Sequence, residues 1–209
     1  MLPSIECATL LQYFPKGQSD LAMQAKKLMA DIKNGRIGRY KDRVGEIAAS
    51  SPELSRFLHP NCTLVPMPRS SPIREGDLWP AYEIAAQLAS LDLGSIMTCL
   101  KRRTAVRKMA LIPKADLRPS IAEHYDSFVV ENAMPTADIT LVDDVLTQGR
   151  TAIAAASRLA EKFPNASIRV FALTQTRGKS TDLEIDTILN VQVGKIFYNH
   201  NTGKCLHGQ

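Results

Sequence analysis

Residues 139–163 limit the folds open to this chain more than any other stretch. They read Ile-Thr-Leu-Val-Asp-Asp-Val-Leu-Thr-Gln-Gly-Arg-Thr, then Ala-Ile-Ala-Ala-Ala-Ser-Arg-Leu-Ala-Glu-Lys-Phe. Residues 139–142 are a short apolar run rich in β-branched side chains, as a buried parallel strand requires. Asp143 and Asp144 fall where that strand would end. Thr147, Gly149 and Thr151 then put small or hydroxylated residues at alternate positions. After them Ile153, Ala156, Ala160 and Phe163 recur at helical spacing until Pro164-Asn165 stops the helix. The expectation is a strand, a glycine-bearing turn and a helix.

That arrangement has the physics of an anion site. The first N–H groups of a helix lack partners within it and the helix dipole is positive there, so phosphate oxygens are favoured. The candidate cradle is Leu146, Thr147, Gln148, Gly149, Arg150 and Thr151. Its two Thr hydroxyls add donors, and Gly149 allows a close approach that a Cβ would block. Arg150 either contacts the anion or points outward. Two acids beside such a cradle would repel a bare anion. They make sense if the same ligand offers hydroxyls for carboxylates to accept, as ribose 5-phosphate does.

The segment resembles the signature of the type I phosphoribosyltransferases, which runs apolar residues, two acids, then Thr-x-Gly-x-Thr. Val142-Asp143-Asp144-Val145-Leu146-Thr147-Gln148-Gly149-Arg150-Thr151 fits it. Gln148 stands where many members have Thr, and Arg150 where they have a small residue.

At 209 residues, 44% hydrophobic and 22% charged, the chain suits one α/β domain with a modest extension. It has no apolar run long enough for a bilayer. Its N-terminus lacks a basic start and carries Glu6. Cys7, Cys62, Cys99 and Cys205 are scattered singly, without Cys-x-x-Cys spacing. Together these features predict a cytoplasmic protein with reduced thiols, no membrane partner and no protein-built metal site. The net charge of +5 is uneven. Residues 26–43 hold seven basic and two acidic residues, and 101–118 hold seven basic and one acidic. Localised positive charge suits a polyanion, either a polyphosphate ligand or nucleic acid.

Around the central segment, 19–34 reads as a helix with Ala22, Ala25, Met29 and Ile32 on one stripe, capped by Ser19 or Asp20. A second short helix spans 42–49. Residues 63–67 read as a core strand running into a polar, proline-rich loop that exposes Arg69, Ser70 and Arg74. A helix follows over 77–91, with Asp77 as candidate cap. Residues 96–100 suggest an edge strand, and 101–118 a loop. Apolar runs at 125–130, 168–173 and 185–193 suggest further strands, and 195–205 a polar tail. Alternating strands and helices of this kind predict a Rossmann-like, doubly wound parallel α/β sheet. The expected division is a helical N-terminal extension or hood over 1–55 and an α/β core over 56–209.

Within the phosphoribosyltransferases the chain looks closest to the ComF-like branch of competence proteins. The likeness rests on Ile32-Lys-Asn-Gly35, Val65-Pro-Met-Pro68, and Lys101-Arg-Arg-Thr104 leading to Phe128. The branch's N-terminal zinc-binding cysteines are missing, and its Arg-Gly-Phe-Asn-Gln turn survives only as Arg74-Glu-Gly-Asp77. The resemblance implies binding of phosphoribosyl pyrophosphate with Mg2+ and transfer of the phosphoribosyl group to a nitrogenous acceptor, releasing pyrophosphate. Asp143 and Asp144 would be the catalytic pair on the ribose hydroxyls. Arg69 and Ser70 would form the pyrophosphate loop, joined by Arg102, Arg103 and Arg107 from a closing loop, and a homodimer is the family-based expectation. Two further readings of the same fold stay open: a non-catalytic ligand sensor, and a nucleic-acid-associated protein of the DNA-uptake kind.

Overall fold

The computed structural model describes residues 1–36, 41–107, 118–177 and 187–208, with backbone alone at 41–43. Its centre is a seven-stranded sheet. In chain order the strands are β1 (Ser4–Tyr13), β2 (Cys62–Pro66), β3 (Ser95–Ile96), β6 (Asp138–Leu146), β7 (Ser167–Thr176), β8 (Leu189–Asn199) and β9 (Lys204–Gly208). They lie side by side as β3-β2-β6-β7-β1-β8-β9. The first five in that order are parallel, and β8 and β9 close one side as an antiparallel pair. A two-stranded antiparallel ribbon, β4 (Leu100–Arg102) with β5 (Phe128–Val130), stands apart. The chain is thus an α/β protein with a mostly parallel sheet.

Helices cover both faces, as a parallel sheet requires. On one face α1 (Asp20–Lys33), α2 (Lys41–Ser50) and α3 (Pro80–Ala89) bury Met29, Ile32, Val44, Ile84 and Leu88 against Leu10, Leu64 and Phe171. On the other, α4 (Ile121–Ser127) and α5 (Arg150–Lys162) pack Ile121, Ile153 and Leu159 over Val65, Leu141 and Val170. The run of alanines at 152 and 154–156, all buried, keeps α5 thin enough to lie close on the strands. Alternation along β6 sends Ile139 and Leu141 to the α5 face and Val142 to the other.

Several sequence expectations hold. Ser19 caps α1 through a 3.1 Å bond from the Ala22 amide, and the whole expected stripe is buried. Elsewhere the chain differs from the reading. The 1–55 segment is not wholly helical: Ser4–Tyr13 is a strand inside the main sheet, between β7 and β8, so the N-terminus completes the core. Its Ala8 and Leu10 are fully buried, which rewards insertion over an outlying position. The polar tail is also a strand pair, β8 running on to Asn199 and β9 returning beside it. Residues 125–130 are not one strand. Ser120 and Glu123 form a reciprocal capping box that starts α4, and only Phe128–Val130 is extended. Asp77 does not cap α3, whose first turn is set by Pro80. It bonds the Arg74 amide at 3.1 Å instead. Most of the 101–118 loop and the start of the 185–193 strand lie outside the described residues.

Candidate functional site

The expected strand, turn and helix are β6, residues 147–149 and α5. Gly149 is the N-cap residue of α5 with φ of 81°, a left-handed conformation that an L side chain resists. A Cβ there would also lie 2.7 Å from Ile196 Cγ2 of β8. Glycine has no side chain with which to cap α5, and the helix's first backbone bond runs from the Ile153 amide to the Gly149 carbonyl at 2.9 Å. The amides of Arg150, Thr151 and Ala152 are therefore the donors that helix geometry leaves over.

Two contacts hold the turn. Thr147 Oγ1 meets Thr176 Oγ1 at 3.1 Å, and His207 Nε2 donates to the Thr147 carbonyl at 2.9 Å. The second bond orients a peptide: because C=O and N–H of a trans peptide point opposite ways, the Gln148 N–H faces away from His207. Arg150 does not point out to solvent. Its Nη1 reaches the Pro119 carbonyl at 3.4 Å, toward the start of α4.

Asp143 and Asp144 do not end the strand, as the sequence suggested they would. β6 pairs on with β7 through Val145 and Leu146, and the two acids sit half-buried just before its end, the Asp144 amide donating to Asp143 Oδ1 at 2.9 Å. Burial and then the neighbouring Asp144 carboxylate push the Asp143 pKa well above the ordinary value, while Arg102 pulls it back. Thr174 Oγ1 holds the Asp144 carbonyl at 2.9 Å and ties the acids to β7.

Arg102 is the best-anchored of the expected cations. It is only 5% exposed, lies 4.1 Å over the Phe128 ring, bonds Ser127 Oγ through Nη1, and donates Nε–H to the Arg69 carbonyl at 2.6 Å. Burial lowers its pKa to about 10 against the opposing pull of Asp143. The Ser70 carbonyl accepts from the Val106 amide at 2.7 Å. Two stretches far apart in sequence, Arg69-Ser70 and 102–106, are thus stitched together. Since β2 neighbours β6, the loop carrying Arg69 and Ser70 leaves the same sheet edge as the acids.

The other two arginines go elsewhere. Arg103 bonds the Asp126 carbonyl at 3.2 Å and lines a groove with Arg158, Glu161 and Lys162, beside the far half of α5. Arg107, exposed, lies 3.9 Å from Glu123. His200 lies against Tyr198, with ring centroids 4.4 Å apart and the ring planes tilted at 55°.

Sequence reasoning passed over two residues beside the helix N-terminus. Among the described residues, His124, 4% exposed, has neither ring nitrogen hydrogen-bonded, and the buried Arg118 Nε has no partner. Arg150 Nε and Gln148 Oε1 share that condition. Buried polar atoms without partners are uncommon and mark places where something else completes the hydrogen bonding. The Ser120-x-x-Glu123 spacing was the available signal, because the helix it starts carries His124.

No model of a known protein family matches the chain, and neither does any curated protein. Fold and site define the class on their own: an α/β protein whose parallel sheet presents, at one edge, an acid pair, a helix N-terminus opened by glycine and a loop braced by a buried arginine.

Proposed function

We propose that the chain is a phosphoribosyltransferase-like protein of the type I kind. In this reading it binds phosphoribosyl pyrophosphate with Mg2+ and passes the phosphoribosyl group to a nitrogenous acceptor. One observation carries the reading: Gly149, left-handed and opening helix α5, follows Asp144 after only four residues, so diol acceptors and phosphate donors lie close together along the chain. The leftover amides at the start of α5, with the Thr147 and Thr151 hydroxyls, would take the 5′-phosphate. Asp143 and Asp144 would accept from the ribose hydroxyls. The Arg69-Ser70 loop would meet the pyrophosphate, its backbone fixed by Arg102.

In the transfer the C1–O bond breaks and its electron pair leaves with pyrophosphate. A nitrogen lone pair forms the new C1–N bond and the acceptor gives up a proton. Positive charge builds on the ribose ring, and a carboxylate pair held beside it lowers that barrier. Burial and the neighbouring carboxylate make Asp143 resist ionisation, and positive charge building beside it would favour its ionised form, so the pair's negative charge would develop together with the cationic transition state. Mg2+ would neutralise pyrophosphate. The hard oxygen donors here are the two aspartates, and among the described residues no group of three or more His, Cys, Asp or Glu side chains could hold a metal ion. That donor set fits an ion carried mainly on substrate oxygens.

The test is calorimetric titration of phosphoribosyl pyrophosphate with Mg2+ into the wild type and into Asp143→Asn/Asp144→Asn. Saturable heat that the double variant loses supports the reading, and pyrophosphate release with an added base separates enzyme from sensor. Absence of heat from folded wild type would overturn both. The nucleic-acid reading gains no specific support, since Lys101 pairs with Glu131 at 2.8 Å and Arg36 with Asp31 at 2.8 Å within the basic islands.

A further inference from the structure

A polar cleft of about 480 Å³ opens on the α5 face of the sheet, beside the start of α5. It crosses from the end of β7 over β1 to β8 and β9. Helix α5 lies over β6, β7 and β1, and a helix about 10 Å wide cannot also roof two further strands spaced nearly 5 Å apart. Thr9, Gln175, Asn190, Gln192 and His207 line the cleft, and Arg177 supplies its charge. Among the described residues, no carboxylate lines it.

Arg177 is an incomplete cation site. Its Nη2 bonds the Gln192 side-chain oxygen, and its backbone amide is spent on the Tyr13 carbonyl at 2.8 Å. Its Nε–H is buried and has no partner among the described residues. Burial lowers its pKa. A guanidinium in a cleft of amides and hydroxyls, with an unused N–H, matches an oxyanion with hydrogen-bonding groups around it.

We propose that this cleft is a second anion site, separate from the α5 cradle, taking a small molecule that presents a carboxylate or phosphate to Arg177. His207 joins the two sites. It lines the cleft and donates to the Thr147 carbonyl, the bond that sets the direction of the Gln148 N–H. A ligand that draws on His207 competes for that bond and re-aims a cradle amide. This coupling, though not the binding itself, rests on the cradle being the phosphate site proposed above.

The experiment is heteronuclear NMR of the full chain, titrated in separate arms with succinate and inorganic phosphate. Saturable shifts of Arg177 Nε and the His207 ring in either arm are expected, and the responding arm names the anion. Arg177→Gln should weaken that binding by roughly tenfold or more while the Gly149 and Thr151 amides keep their response to phosphate. If Arg177→Gln loses spectral dispersion, Gln192→Leu, which removes a lining amide and leaves the backbone intact, replaces it. Shifts at Gly149 and Thr151 with Arg177 silent in both arms would overturn the second site and leave the cradle standing. Shifts at Arg177 with a silent cradle would support the second site and count against the phosphate cradle.

Discussion

Arg102 donates its Nε–H to the backbone carbonyl of Arg69 at 2.6 Å, joining the ribbon strand β4 to the loop that follows β2. Both residues are candidates for binding pyrophosphate, yet only one of them has its guanidinium spent on the protein. Arg102 therefore acts as a brace whose charge still reaches Asp143. Arg69 keeps a looser partner in Asp77, at 3.5 Å, that a ligand could displace.

Arg102→Lys tests the brace. Lysine keeps the charge but cannot fork to Arg69 and Ser127 while lying flat on Phe128. Losing those bonds at a buried site should cost about 2–4 kcal/mol, read as a lower urea midpoint with an unchanged slope. An unchanged midpoint would mean the contacts are incidental. Arg69→Lys, by comparison, should leave the midpoint near wild type.

Asp143→Asn should stabilise the protein while abolishing ligand binding. The Asp143 pKa is raised in the fold, so above the unfolded value of 3.8 the native state binds more protons than the unfolded state. Stability from this group accordingly falls as pH rises from there. The amide removes the charge and with it that decline. At neutral pH the thermal midpoint should rise, by roughly 2–4 °C for each kcal/mol in a chain of this size. A lower midpoint for the variant at pH 7 than at pH 4, relative to wild type, would contradict the burial of the charge.

The turn proposed to hold phosphate was legible because its pattern is local. Strand, acids, turn glycine and helix follow one another within 25 residues, and each leaves a side-chain signature of its own. The N-terminal strand was not legible, since Ser4–Tyr13 owes its place to partners at 167–176 and 189–199, and nothing within those ten residues says which strand they pair with. The ribbon of β4 and β5 was hidden for the same reason: Leu100 meets Val130 across thirty residues of chain. Arg103 and Arg107 show the limit of charge counting. They share an island with Arg102, but alternation along β4 buries Arg102 and the chain then carries the other two outward.

Gly149→Ala should damage fold and site together. The new Cβ meets Ile196 at 2.7 Å, and φ of 81° is unfavourable for alanine even in open space. Strain and overpacking together should lower stability by about 1–3 kcal/mol. Gly149→Ala with Ile196→Ala should recover the packing share but not the backbone share. Full recovery in urea titrations would show that the left-handed conformation costs little here.

His124 sets the acid side of the stability profile. Burial lowers its pKa to about 4, Arg102 and Arg150 add to that, and Glu123 opposes them. Between the ordinary value of 6.5 and about 4 the unfolded chain binds the proton and the native state does not. The stability this implies is present above 6.5 and drains away as pH falls through that window. A shift of this size corresponds to about 3 kcal/mol at most. Asp143 works in the opposite direction over the same range, so the wild-type profile blends the two and no single curve resolves them. Comparing wild type with His124→Phe at each pH cancels the Asp143 contribution, which both proteins share. The difference between their urea-derived stabilities should shift in favour of the variant as pH drops from 6.5 to 4. A difference that stays flat across that window would mean that His124 protonates in the native state as readily as in the unfolded one, and that its ring nitrogens are not left without partners.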